Sequence, residues 1–411
     1  MSSARLTRIT DWLNSLVDDE KLAGASVAIG RHGELPYFET TGYAEREIAR
    51  KFSKDAIVRI YSMTKPITSV AAMALYEEGC FQLDDPVSRY IPAFADTPVW
   101  VGGTEDITAT TAQESPMLVR HVLTHTSGLT YGFMNSNVVD AMYRELDMGQ
   151  PSKEPDLESW TDTLTTIPLL CQPGSAWNYS VSTDVLGRLV EIWSGRTLDQ
   201  FFRERIFEPL GMTDTGFQVS EDNRERFSAL YAPLVGGRLG QADPPPLEER
   251  GGLKLQESVL ESRYFAHPGV FSGGGGLASS MHDYCRFCQM LLNEGELDGE
   301  RLLAPSTVRY MRTNHLPGNR DMAAMGQPVW SETSYDGIGF GLGFAVVLDP
   351  VKASIIASTG EHHWGGAAST FFWIDPLQDL YVVFLTQLLP SSTYPIRREL
   401  RTRVYQAVTG E

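Results

Sequence analysis

The chain has 411 residues, of which 42% are hydrophobic and 21% charged, and its formal net charge is −18. That length can bury a large core and has room for more than one structural lobe. The acidic balance excludes nucleic acid, whose phosphates need a basic face, and argues equally against an anionic membrane surface. We read the charge as a device for solubility.

Leu6, Ile9, Leu13, Leu16 and Val17 share one face of a helix over residues 5–22. No apolar leader with a small-residue cleavage site opens the chain and no run approaches a membrane span, so the expected location is cytoplasmic, with no membrane partner. A strand is expected over 25–30, a turn at His32-Gly33 and a returning strand over 35–41. A buried helix runs from Ser62 to about Glu78, with Gly79 as its natural stop. Residues 97–117, rich in Thr, Gly and Pro, read as an inserted hairpin or loop. His121 begins a short helix that ends at Gly128. Residues 137–215 read as mostly helical, and 232–256, with Gly236-Gly237, Pro244-Pro245-Pro246 and Gly251-Gly252, as irregular connection. Gly273 to Gly276 mark a flexible spot before a helix from about Ser279. Strands are expected over 341–348, 354–359, 369–375 and 380–387, and an amphipathic helix from about Tyr394. Strands at both ends with helices between them predict an α+β fold, one antiparallel sheet with an inserted helical lobe. The expected division is a sheet domain of residues 1–92 and 255–411 and a helical domain of residues 93–254.

The strongest chemical signal is Tyr61-Ser62-Met63-Thr64-Lys65-Pro66. A serine and a lysine three apart lie one turn from each other on a helix face. Lys65 is the only charge between Ile60 and Tyr76 and the only lysine in the chain with a serine three before it. Burial would strip its proton and set a neutral amine beside a hydroxyl, a base beside a nucleophile. The competing reading is a lysine that snorkels to solvent.

Such a pair needs a proton partner and oxyanion donors. Tyr179, in the loop before a helix near 183–193, is the candidate partner, with a phenol pKa lowered by the cationic lysine. A simple packing tyrosine is the alternative. Gly365-Gly366, after Trp364, would let backbone approach a ligand, or would form a plain hairpin turn. His121 and His125 have ligand spacing but no glutamate follows His121, so they read as structural and no metal is expected. Cys285 and Cys288 lie within a helical pattern and read as packing residues, and four cysteines do not suggest a disulfide framework. An α/β-hydrolase would need G-x-S-x-G, which is absent.

Taken in order, Ser62-Met63-Thr64-Lys65, Leu123-Thr124-His125-Thr126-Ser127-Gly128-Leu129, Pro173-Gly174 with Tyr179-Ser180, Gly274-Gly275-Gly276-Leu277 and Trp364-Gly365-Gly366 carry a resemblance across nearly the whole chain. The chain resembles serine hydrolases related to class C β-lactamases and D-alanyl-D-alanine carboxypeptidases, and within them the family VIII carboxylesterases. The resemblance implies a β-lactamase/penicillin-binding-protein-like fold: an antiparallel sheet flanked by helices, with a helical domain. It also implies Ser62 as nucleophile, Lys65 and Tyr179 as the base system, and the amides of Ser62 and Ala367 as oxyanion hole, with no cofactor.

Two departures bear on substrate. Val181 stands where the β-lactamase pattern has asparagine, and Trp364 where it has the lysine that meets a substrate carboxylate. Losing one charge-assisted contact is worth about 1.5 to 3 kcal/mol, so a neutral small-molecule ester is expected over a β-lactam. Trp364, Gly365, Gly366, Tyr131 and Phe133 are the expected substrate contacts. The aromatics among them favour short acyl chains.

Overall fold

The computed structural model describes residues 1–149, 154–235, 246–326 and 335–410. Helix α1 (Ser3–Asp18) buries Leu6, Ile9, Trp12, Leu13 and Leu16 on one side, the face its periodicity predicts. Strands β1 (Gly24–Arg31) and β2 (Glu34–Glu45) form a hairpin whose turn residues His32 and Gly33 have φ of +55° and +74°. After the short β3 (Arg50–Lys51) comes α2 (Thr64–Glu77), with Gly79 at φ +79° just past its end. Helices at Val138–Glu145 and Leu157–Thr165 precede α3 (Ser182–Ser194), and α4 (Met281–Leu292) follows. The chain returns to the sheet through β4 (Ile338–Phe340), β5 (Ala345–Val347), β6 (His362–Gly365), β7 (Phe371–Asp375) and β8 (Leu380–Thr386). Helix α5 (Ile396–Tyr405) follows them.

These strands make one antiparallel sheet in the order β4-β5-β6-β7-β8-β1-β2-β3. The two ends of the chain meet where β1 pairs with β8, Val27 opposite Phe384. Alternate residues face two cores. Val27, Ile29, Trp373, Val382 and Phe384 pack with α1 and α5, whereas Ala28, Phe372, Ile374, Val383 and Leu385 pack toward α2 and α4. Covered on both faces, the central strands are apolar throughout rather than alternating. The larger core continues from α2 through α3 to Trp160, so the apolar interior runs unbroken from beneath the sheet into the helical region.

Several expected elements differ. Ser62 precedes α2, on a 3₁₀ turn of Tyr61–Met63, because Tyr61 adopts φ +43° and the α-helical path begins only at Thr64. The expected strand 341–348 is broken: Gly343, at φ +102°, turns the chain between β4 and β5 with its Cα against Ser69. Residues 354–359 form no strand, since Ser354 sits in a turn at φ +54°. His362–Gly365, expected only to precede a strand, is itself β6, held by β5 and β7. The 232–256 connection contains a strand pair, Leu230–Pro233 with Leu253–Glu257, while residues 236–245 lie outside the described residues. Residues 97–117 do contain a hairpin, Val99–Trp100 with Thr110–Thr111. Gly273–Gly276 is not a flexible spacer. A Cβ on Gly273 would stand 2.7 Å from the Thr183 carbonyl, so these glycines let the segment pack directly on α2 and α3.

Candidate active site

The turn that carries Ser62 is held from several directions. The Tyr284 hydroxyl of α4 donates to the Met63 carbonyl at 2.9 Å, and the Ile60 amide donates to the Leu277 carbonyl at 3.1 Å. The end of β6 presses on the same turn: a Cβ on Gly366 would lie 2.3 Å from the Ile60 carbonyl, which only glycine avoids. A bulky residue at positive φ is costly, and Tyr61 holds that conformation immediately before Ser62. Pro66 occupies the first turn of α2, where a missing N–H leaves no hydrogen bond unmade.

Lys65 is 1% exposed, and its Nζ lies 3.2 Å from Ser62 Oγ. Its other contacts are the Tyr131 hydroxyl at 2.9 Å and the Gly274 carbonyl at 2.7 Å. The snorkelling alternative is therefore excluded. Burial lowers the lysine pKa to about 7, opposed by the charge of Asp184. Tyr179 Oη lies 2.6 Å from Ser62 Oγ, and Lys65 Nζ stands 4.7 Å above the Tyr179 ring. The expected lowering of the Tyr179 pKa is wrong in sign. Burial pushes the phenol up, and the Ser62 hydrogen bond offsets only part of that. Burial thus moves the two groups oppositely, the Tyr179 phenol toward its protonated form and the Lys65 amine toward its neutral one.

The segment 123–130 holds the residues on either side of Tyr179. The Asn178 amide donates to the His125 carbonyl and the Asn178 side chain to the Leu129 carbonyl, each at 2.8 Å. His125 Nδ1 lies 3.1 Å from Ser180 Oγ, whereas His121 Nδ1 accepts from the Leu118 amide at 3.2 Å, so the two rings are engaged separately. Cys285 and Cys288 are buried free thiols, and burial pushes both up, Cys285 to about 12.

Ser62 opens into a cavity of about 760 Å³ that is also lined by Tyr131, Phe133, Tyr179, Trp364, Gly365, Gly366 and Ala367. Among the described residues, neither the Ser62 nor the Ala367 amide donates to a protein acceptor. Tyr131 and Phe133 stack at 4.6 Å, and the Trp364 ring lies 5.4 Å from Tyr179. Tyr131 thus has a second contact that the sequence reading did not assign, its hydroxyl on Lys65. Asp184 was missed altogether. It is 2% exposed and lines the same cavity. The clue was the one used for Lys65: a single charge in the otherwise uncharged run Val181-Ser182-Thr183-Asp184-Val185-Leu186. No residue of 97–117 is among those lining the cavity.

This sheet, these helices and a serine–lysine–tyrosine cluster in the cleft between them define the class as serine hydrolases of the β-lactamase fold. The chain belongs to the beta-lactamase family, whose model, described as Beta-lactamase, matches residues 9–406. It is 35% identical to Protein Rv1367c of Mycobacterium tuberculosis over 92% of this chain and 89% of that one. It is 32% identical to Esterase EstB of Burkholderia gladioli over 98% and 95% of the two chains. Among solved structures it superposes on EstCE1, described as a hydrolase with promiscuous acyltransferase activity, with a TM-score of 0.77, 28% identity and 99% of both chains covered. Among the described residues no helix is long and apolar enough to cross a membrane.

Proposed function

We propose that the protein is a carboxylic ester hydrolase of the family VIII type, acting through an acyl-serine intermediate. The observation that carries this reading is the convergence of Lys65 Nζ and Tyr179 Oη on one hydroxyl, Ser62 Oγ, at 3.2 and 2.6 Å. Neutral Lys65 takes the Ser62 proton as Oγ bonds to the ester carbonyl carbon, and the amides of Ser62 and Ala367 receive the oxyanion. Collapse of that intermediate breaks the bond to the alcohol oxygen, which takes a proton from Tyr179. The phenolate then faces the Lys65 ammonium and regains a proton from it. Water repeats the sequence on the acyl-enzyme, and Ser62 leaves as the free hydroxyl.

Trp364 and the stacked Tyr131 and Phe133 give the cleft an aromatic wall, and Arg397, against Gly365, brings a cation to the same cavity. On the aromatic wall we assign a neutral ester with a short acyl chain, and the remaining cavity accommodates the alcohol portion. The similarity to Esterase EstB supports ester over amide substrates. A fluorophosphonate probe followed by mass spectrometry should place one adduct on Ser62. A p-nitrophenyl ester series should peak at short chains, with turnover of butyrate exceeding that of nitrocefin. Absence of the adduct would sink the mechanism, and a maximum at long chains would sink the substrate assignment.

The likeness to EstCE1 favours a second reading of the same intermediate, in which an alcohol replaces water and the outcome is acyl transfer. Adding a primary alcohol to the butyrate assay and measuring the new ester by chromatography separates the two.

A further inference from the structure

Asp184 lies in the first turn of α3, and its Oδ1 accepts from Ser272 Oγ and, at 3.0 Å, from the Gly274 amide. The carbonyl of that same glycine accepts from Lys65 Nζ at 2.7 Å. A Cβ on Gly274 would stand 2.3 Å from Asp184 Oδ2, so the carboxylate rests on the glycine backbone with no side chain between. One residue, Gly274, thus separates the buried acid from the buried amine, its N–H on the first and its C=O on the second. Among the described residues Asp184 makes no ion pair.

The groups facing Lys65 from the surrounding elements are Ser62, Tyr131, Tyr179, His125 and Asp184. Burial keeps His125 neutral, and burial holds both phenols protonated. Asp184 is the one carboxylate in that set, and two donors, Ser272 Oγ and the Gly274 amide, point at its Oδ1. Burial raises its pKa and the Lys65 charge opposes the rise.

We propose that Asp184 is a positioning residue that works through Gly274, orienting the glycine carbonyl on Lys65 and supplying the counter-charge when the amine becomes an ammonium. This rests on the reading of Ser62 as nucleophile and Lys65 as its base. The balance is simple. The proton leaves Ser62 Oγ as that oxygen bonds to the acyl carbon, and it arrives on Lys65 Nζ. Asp184 forms and breaks no covalent bond and remains a carboxylate. Its charge, uncompensated while the lysine is neutral, is compensated once the lysine is protonated, which favours the proton transfer.

The test is the pH dependence of Ser62 labelling by a fluorophosphonate, measured beside kcat/KM for p-nitrophenyl butyrate. Asp184→Asn keeps an oxygen that can accept from Ser272 and Gly274 but removes the charge. Its acid limb should move to lower pH by about one unit, because the ammonium has lost its favourable neighbour. The plateau should fall by ~10-fold or more, because a weaker base drives the transfer less. Asp184→Glu should return the limb toward its wild-type position even where the plateau stays low. A merely structural residue would depress the plateau and leave the limb in place, and that result overturns the proposal. Should Asp184→Asn fail to fold, Ser272→Ala loosens the hold on the ionised carboxylate and should move the limb the same way by less; an unmoved limb there also overturns it. Wild-type protein that takes no label at Ser62 would instead overturn the underlying reading of the site.

Discussion

Arg401 and Lys65 are both buried cations on helices, 6% and 1% exposed, yet their surroundings differ. Arg401, on α5, pairs directly with Glu361 immediately before β6, and the Tyr405 hydroxyl lies 2.8 Å from the second Glu361 oxygen. Burial pushes the Glu361 carboxyl up, but Arg401 and His363 together outweigh it and hold the group below its ordinary value. Lys65 meets three neutral oxygens, and the Asp184 carboxylate is linked to it through the N–H and C=O of Gly274. The first arrangement closes a charge off permanently and ties α5 to the sheet. The second leaves both charge states of the amine accessible near pH 7, which is what proton transfer requires.

The sharpest break of this comparison is at Ser62. Ser62→Ala should cost roughly 10⁴-fold or more in kcat and abolish fluorophosphonate labelling while leaving the melting temperature near wild type. Lys65→Met comes next, with a loss of about 10²- to 10⁴-fold in kcat/KM. It should also raise the melting temperature, since burying this cation costs more than the charge of Asp184 returns. The sign with pH follows from linkage. Burial lowers the folded-state pKa to about 7, so between there and its unfolded value the unfolded chain binds the extra proton and wild-type stability rises with pH. The gain from Lys65→Met is thus larger at pH 6 than at pH 9, as melting curves at the two values will show. Arg401→Met should do the reverse to stability. It strands Glu361 in the core and costs about 3 to 5 kcal/mol in denaturant unfolding, and restoring neutrality with Glu361→Gln should recover part of that. In the wild type, kcat/KM should climb with pH through about 7 as Lys65 loses its proton. The smallest expected effect is from Tyr131→Phe. It removes one acceptor from the lysine and should lower kcat/KM by about two- to tenfold.

Parts of this site and fold were legible because their determinants are local. The Ser62–Lys65 spacing needs only one helical turn, and the α1 stripe and the β1–β2 hairpin follow from periodicity and a positive-φ turn. Strand β6 was not legible. His362-His363-Trp364-Gly365 has no apolar alternation, and only the ladders from β5 and β7 make it a strand. Asp184 and Gly274 stand 90 residues apart, and Lys65 and Gly274 stand 209 apart, so no local pattern could join them. The Tyr179 pKa was misjudged for a related reason. A neighbouring cation was inferred from sequence, but burial both weakens that lysine's hold on its proton and raises the phenol.

Residue order alone thus determined the chemical types available, their spacing within a turn and the apolar faces that must be covered, because each depends on neighbours only a few bonds away. Charge states, the gathering of Ser62 and Ala367 around one cavity and the contacts from Asp184 through Gly274 to Lys65 were decided by tertiary packing. Desolvation and distance govern all three, and both exist only once segments remote in sequence have closed around one another.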